Sequence, residues 1–282
     1  MNRSASEEGQ VPPMASPLID GHTRVVGILA DPIGHVRTPR AFNALMAAEA
    51  INAVLVPLHV GPQDFAAVVT ALAKIHSMAG LIVTIPYKES MLALCDELTD
   101  AARQVGAVNI LRFEAGSAGT RMVGGNLDGA GFVDGLLAQG HAVRDRRAYL
   151  AGAGGAGKAI AHALAAHGVA AIGIHNRNAA RGEQLVAELR RYYPQLDAHV
   201  APAAPVNYDM AINSTSLGLD PRDVLPFSVA CLPLHALVAE AVMKVELTPL
   251  LAAAQAHGLQ VHFGRHMMQA QIVGMKQFLG LR

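Results

Sequence analysis

Lys88, at the end of Gly80-Leu-Ile-Val-Thr-Ile-Pro-Tyr-Lys88, and Asp128, closing Gly124-Gly-Asn-Leu-Asp128, are followed by a glycine fingerprint, Gly152-Ala-Gly-Gly-Ala-Gly157. A lysine and an aspartate brought together beside a dinucleotide can move a proton while the cofactor moves a hydride, so the order of these segments points to an oxidoreductase. Each residue also has a plainer reading: Lys88 as a surface lysine at a helix start, Asp128 as the N-cap of a helix beginning near Gly129.

In a G-x-G-x-x-G loop the first glycine permits the tight turn, the second lets the backbone approach a pyrophosphate, and the third lets the helix pack closely. Gly152, Gly154 and Gly157 take these places, with Gly155 and Ala156 completing the cradle. The context supports a nucleotide site: the strand Arg147-Ala-Tyr-Leu-Ala151 precedes the loop, and a small-residue helix, Lys158 to Ala166, follows it and ends at Gly168. Where an NAD-binding chain usually carries an acid for the ribose 2′-hydroxyl, this one has Asn176-Arg177-Asn178, with Arg181 one helical turn later and no acid at 175–180. NADP is therefore the preferred cofactor, with NAD still admissible.

The elements that must position these residues alternate between strand and helix. Arg24 to Ala30, Ala53 to Val60 and Leu81 to Thr84 read as strands. Thr38-Pro39 reads as an N-cap and first-turn proline opening a helix from Arg40 to Ala50, and a second helix starts near Pro62 with Phe65, Val68, Val69, Leu72 and Ile75 on its apolar face. Helix-length crossovers predict a mostly parallel α/β sheet. Residues 107–113 and 121–124, joined by a turn at 116–119, predict an added antiparallel hairpin. After Asp128 the alternation restarts with strands at 147–151, 171–175, 198–200 and 209–213, a helix over 179–190 and a last helix from His266 to Leu279, whose packing partner the pattern does not reveal.

Composition narrows the partners. The chain has 282 residues, 52% of them hydrophobic, and its 22 Lys and Arg balance its 22 Asp and Glu. No basic field draws it to nucleic acid or anionic membrane, so a small-molecule partner is expected. Residues 1–22 read as a flexible tail; no apolar run before Thr23 resembles a signal-peptide core, and no stretch reaches the ~18 apolar residues of a membrane span. Cys95 and Cys231 stand apart without C-x-x-C spacing, which suits buried thiols in the reducing cytoplasm. His262 and His266 are four residues apart but lack a Cys or acidic partner nearby, so no metal site is expected.

Taken together the chain resembles the shikimate dehydrogenase family, including its shikimate/quinate relatives, over about residues 24–279. The resemblance rests on Gly27-x-x-x-x-Pro32-x-x-His35-x-x-Thr38-Pro39, Val83-Thr84-x-Pro86-x-Lys88, Gly106-Ala-Val-Asn109, Gly125-Asn126-x-Asp128, the glycine loop, Asn176-Arg177, Asn213-Ser-Thr-Ser-x-Gly218, Thr248-Pro-Leu-Leu251 and Gly264-x-x-Met267-Met-x-x-Gln271. It implies an N-terminal α/β substrate domain (23–127 plus 264–282), a Rossmann domain (128–263) and a cleft between them. It also implies oxidation of a ring hydroxyl of shikimate or a close analogue by a monomer or homodimer, with Lys88 and Asp128 in proton transfer. Thr84, Asn109, Asn126 and Gln271 would bind substrate; Thr215 and Gly264 would join the cofactor site. The family usually has serines, whose hydroxyls bind the substrate carboxylate, where this chain has Val36 and Thr38. Ile82 stands for an asparagine and Met243 for a tyrosine, so three polar places have become apolar.

Overall fold

The computed structural model describes residues 19–34, 36–116, 119–220, 222–243 and 245–282. Most of the expected tail, His35, and Ser117 and Ala118 of the hairpin turn lie outside them. The described end of the tail is held, since Asn52 Nδ2 donates to Asp20 Oδ1 at 2.9 Å and Thr23 Oγ1 donates to Asn52 Oδ1 at 2.7 Å.

Two six-stranded sheets carry the chain. In the first, β1 (Arg24–Ala30) pairs parallel with β2 (Ala53–His59) on one side and β3 (Met78–Val83) on the other. The hairpin β5 (Ile110–Gly116) and β6 (Gly119–Gly125) adds antiparallel to β3, and a two-residue strand, β4 (Glu97–Leu98), runs parallel along β6. The Val/Ile/Leu runs of β1 and β3 are buried on both faces, as a central parallel strand requires. Residues 107–109, expected in the hairpin, instead connect it to α3 (Asp100–Val105), a helix capped by Thr99 and ended by Gly106 at φ 70°.

The helix α1 spans Thr38–Ala48, two residues earlier than expected. Arg37 takes the N-cap position and makes no side-chain cap bond, so Thr38 is the first helical residue and not the cap. Its hydroxyl stays free of the capping duty that the sequence suggested. The next helix, α2 (Phe65–Leu72), buries Phe65 and Val69 but leaves Ile75 beyond its end and exposed.

The second sheet is all parallel, in the order β12-β11-β10-β7-β8-β9. Its strands are β7 (Arg147–Ala151), β8 (Ala171–His175), β9 (Asp197–Val200), β10 (Met210–Asn213), β11 (Leu237–Glu240) and β12 (Gln260–His262). This is the doubly wound arrangement whose strand order reverses beside β7, the place where such sheets bind dinucleotides. Helices α5 (Gly155–Ala166) and α6 (Ala179–Tyr192) cross over between β7, β8 and β9, and α7 (Pro249–Ala256) precedes β12.

Two helices join the sheets. α4 (Asp128–Ala138) leads from β6 toward β7, and α8 (Gly264–Phe278) runs back from β12. α8 packs on α4 and α1; Met267 in its first turn belongs to the core of the second sheet, and Ile272, Met275 and Leu279 belong to that of the first. Glycines let α4 pack closely on both α5 and α8: a Cβ on Gly129 would lie 2.1 Å from the Ala159 carbonyl oxygen of α5, and one on Gly131 would lie 2.2 Å from Gln271 Cγ of α8. Among the described residues no helix is long and apolar enough to cross a membrane. Cys95 and Cys231 are half-buried free thiols; burial pushes the Cys95 thiol up to about 11, which keeps it protonated and unreactive.

Candidate active site

Lys88 lies just beyond β3, and its carbonyl accepts from Val108 N–H at 2.8 Å. Asn109 is clamped by its backbone, accepting from Val83 N–H at 2.8 Å and donating to the Gly125 carbonyl at 2.9 Å. The end of β3 and the start of β5 are thereby fixed next to β6, which delivers Asp128 as the first residue of α4. Leu127 is the N-cap, so the capping reading of Asp128 does not hold and its carboxylate is free for other work.

That carboxylate gathers three donors. Lys88 Nζ lies 2.7 Å from Oδ2, while Asn109 Nδ2 at 2.9 Å and Gln271 Nε2 at 2.8 Å both donate to Oδ1. The lysine and aspartate side chains remain 30% and 14% exposed, so a ligand can reach them. An ammonium has three N–H groups and spends one here, which leaves donors for an incoming oxygen. The arrangement can hand a proton to, or take one from, a hydroxyl placed against Lys88.

Asn126, expected to bind substrate, is turned inward. Its amide donates to the Ala107 carbonyl at 3.0 Å and its carbonyl accepts from Asp128 N–H at 3.1 Å, so it sets the entry angle of α4 and is only 4% exposed. Thr38 and Thr84 are half-buried, and their hydroxyls meet no side-chain or backbone partner among the described residues. Val36 and Ile82 pack in or against the apolar cluster that also takes in Leu127 and Ile272, the sequence neighbours of Asp128 and Gln271. Met243 is 42% exposed and lies outside that cluster. A recess of about 700 Å³ lined by Ile33, Val36, Arg37, Pro39 and Arg40 includes neither Lys88 nor Asp128; the ion pair, not this recess, marks the chemistry.

The glycine loop is built to receive a phosphate chain. Gly152 has φ 109°, where a side chain would be strained, and a Cβ on Gly157 would lie 2.3 Å from the Gly152 carbonyl oxygen. Gly154 and Gly155 have open space where a Cβ would stand, and they begin α5, whose first N–H groups lack intrahelical partners. These residues fit a dinucleotide pyrophosphate. Asn176 holds the loop from the side, its carbonyl accepting from Ala153 N–H at 3.0 Å. Ser214, which sequence reasoning passed over, locks it from below by donating to the Ala151 and Gly152 carbonyls at 2.8 and 3.2 Å.

Arg177 and Arg181 are exposed beyond the end of β8 and form no ion pair among the described residues, which leaves their guanidinium groups available. Thr215 is spent within its own turn, donating to Asn213 Oδ1 at 2.7 Å and accepting from Leu217 N–H at 3.1 Å. Gly264 is needed for packing, since a Cβ there would lie 2.1 Å from the Val242 carbonyl oxygen. His262 is fully buried among Phe132, His141 and His266, and burial pushes its imidazole down to about 3.

Residues 28–111 match the shikimate dehydrogenase substrate binding domain, and residues 137–218 match the shikimate / quinate 5-dehydrogenase model. The NADP(+) shikimate dehydrogenase of Acidiphilium cryptum is 38% identical over 256 residues, 91% of this chain and 90% of that protein. The chain belongs to the shikimate dehydrogenase family. Among solved structures of similar proteins, the family resemblance extends to the Listeria monocytogenes shikimate 5-dehydrogenase in complex with shikimate and NAD, with a TM-score of 0.85 at 27% identity and 94% of each chain covered. The 5-ketofructose reductase of Gluconobacter sp. strain CHM43 is similar too, with a TM-score of 0.83 at 28% identity, over 92% of this chain and 93% of that one.

Proposed function

We propose that this chain is a dinucleotide-dependent dehydrogenase that interconverts shikimate and 3-dehydroshikimate, with NADP preferred over NAD. The carrying observation is the Lys88 to Asp128 contact of 2.7 Å, braced by Asn109 and Gln271 where the end of β3, the start of β5 and the start of α4 meet. The similar proteins named for this activity support the reading. In it, residues 23–127 with 264–282 form the substrate domain and 128–263 the cofactor domain, as the two sheets and two joining helices suggest.

A nicotinamide dinucleotide held on the glycine loop would supply the hydride acceptor for the carbinol carbon. In oxidation Lys88 takes the hydroxyl proton as it passes one of its own to the Asp128 carboxylate, and in reduction the relay runs back, so the two act as one unit across their hydrogen bond. Asn109 and Gln271 hold the carboxylate still for that exchange, and Thr38 and Thr84 present free hydroxyls to the substrate. Arg177 and Arg181 bind the 2′-phosphate, and Gly154 and Gly155 receive the pyrophosphate. Asn126, Thr215 and Gly264 serve by shaping the site. All of these groups come from one chain, so a monomer or a homodimer carries complete sites. Two separate thiols and a neutral surface suit the cytoplasm.

A second reading is favoured by the hydrocarbon of Val36 and Ile82, packed with Leu127 and Ile272 beside Asp128 and Gln271: a related cyclic hydroxy acid, or an uncharged hydroxy ketone such as the one named for the similar Gluconobacter enzyme. The test is a panel of shikimate, quinate and 5-ketofructose followed by reduced-cofactor absorbance with NADP and NAD. Fastest turnover on shikimate with NADP is expected. Preference for an uncharged ketone would move the assignment to the second reading, and cofactor binding without turnover on any compound would reject both.

A further inference from the structure

Glu240 ends β11 with its carboxylate fully buried, and the proton-transfer pair does not use it. Donors from three segments converge on it. Asn213 Nδ2, at the end of β10, lies 2.9 Å from Oε1 and 3.2 Å from Oε2; Val242 N–H donates to Oε1 at 3.0 Å; Thr248 Oγ1, the N-cap of α7, donates to Oε2 at 3.0 Å. An apolar side chain of similar size would fill this place at a smaller desolvation cost, so a carboxylate here needs a reason beyond packing.

The reason lies in what the three segments do next. Asn213 leads into Ser214, whose hydroxyl donates to the Ala151 and Gly152 carbonyls at the foot of the glycine loop. Val242 offers the carbonyl against which Gly264 lies, and Gly264 opens α8, the helix that brings Gln271 to Asp128. One buried carboxylate thus joins the turn under the cofactor loop to the start of the helix that braces the proton-transfer pair.

We infer that Glu240 is a positioning residue: it fixes the Asn213–Gly218 turn against the start of α8 and so sets where the dinucleotide stands relative to Lys88 and Asp128, touching neither. The inference rests on the dinucleotide reading above. It is tested in the full chain with Glu240→Ala and Glu240→Gln, measuring the NADPH dissociation constant by fluorescence together with kcat and the KM for shikimate. Glu240→Ala is expected to weaken NADPH and lower kcat by about tenfold or more, while the KM for shikimate moves less than about threefold. Glu240→Gln keeps an acceptor for Val242 N–H and an amide for Thr248, and is expected to restore both quantities. If Glu240→Ala does not fold, Thr248→Val removes one arm at equal volume and should give a smaller shift in the same direction, reversed in Thr248→Ser. A folded Glu240→Ala, or failing that a folded Thr248→Val, with wild-type NADPH affinity and kcat overturns the inference alone, as does a Gln variant as impaired as Ala. A wild type that binds no dinucleotide overturns the functional reading and this inference with it.

Discussion

At the scale of single residues, the site is a carboxylate with its hydrogen bonds assigned. Gln271 supplies one of three donors to Asp128, and a hydrogen bond to a charged group is worth about 1.5–3 kcal/mol, so Gln271→Ala should lower kcat/KM by roughly ten- to a hundredfold. Steady-state kinetics check this, and a change within twofold would mean that Lys88 and Asn109 hold the carboxylate without it. Specificity makes a second prediction. If the hydrocarbon at Val36 and at the buried Ile82 sets specificity, Val36→Ser should lower the KM for shikimate by restoring a donor, and adding Ile82→Asn should lower it further. The ratio of specificity constants for shikimate and the best alternative compound decides; an unchanged ratio in both variants removes these positions from the account. Residue types in order were enough to single out Lys88 and Asp128, whereas Asn109 and Gln271 entered only through the family resemblance, as substrate binders, and the structure places both amides on Asp128. Sequence could not show that Asn126 bonds the backbone around it or that Thr215 is held by the Asn213 side chain and the Leu217 N–H, because a turn residue and a ligand-binding one look alike until their hydrogen bonds are counted.

Elements turn those residues into a site through close helix packing. The α4 and α8 helices meet at Gly131, where a Cβ would press on Gln271 Cγ at 2.2 Å. Gly131→Ala should therefore push Gln271 off Asp128 and reproduce the kinetic loss of Gln271→Ala, with little further loss when the two changes are combined. Full multiplication of the two effects would show that Gly131 acts elsewhere. On the cofactor side, Arg177 extends freely past the end of β8, so Arg177→Ala should weaken NADP by about 1.5–3 kcal/mol and leave NAD nearly unchanged. Equal loss for both cofactors, measured by titration, would make Arg177 a packing residue. The strands around the glycine loop were legible because buried apolar runs and glycine punctuation are strong local signals. α3 and β4 were not, being six and two residues long and held by a Thr99 cap and one sheet edge. Thr38 was misplaced as a cap because a threonine before a proline satisfies that pattern whether or not its hydroxyl turns back, and here Arg37 stands outside it. Nothing in the composition of α8 revealed that it spans both cores; its Met267 and Ile272 are equally apolar, and only the fold separates their partners.

Across the whole molecule, two sheets and two joining helices place a proton-transfer pair and a phosphate cradle in one frame, and Glu240 gives that frame a pH signature. Burial pushes its carboxyl from 4.5 up to about 7. The raised value means that the fold favours the protonated form: the stabilisation is fully present below pH ~4.5 and is lost as pH rises through about 7, on the order of 3 kcal/mol. Glu240→Gln carries no charge to bury, so its stability relative to wild type, from denaturant unfolding, should grow between pH 5 and pH 8. A constant difference over that range would show that the four donations offset the burial. The central claim, that Lys88 and Asp128 move the proton while a bound dinucleotide takes the hydride, is tested most directly by shikimate turnover in wild type, Lys88→Ala, Asp128→Asn and the double variant, with NADP affinity measured in each. Turnover should fall by about 10²–10⁴ in each single variant, with NADP affinity nearly unchanged and the double variant little worse than the singles. Single losses below tenfold, losses that multiply in the double variant, or NADP affinity that falls in step with turnover would contradict it.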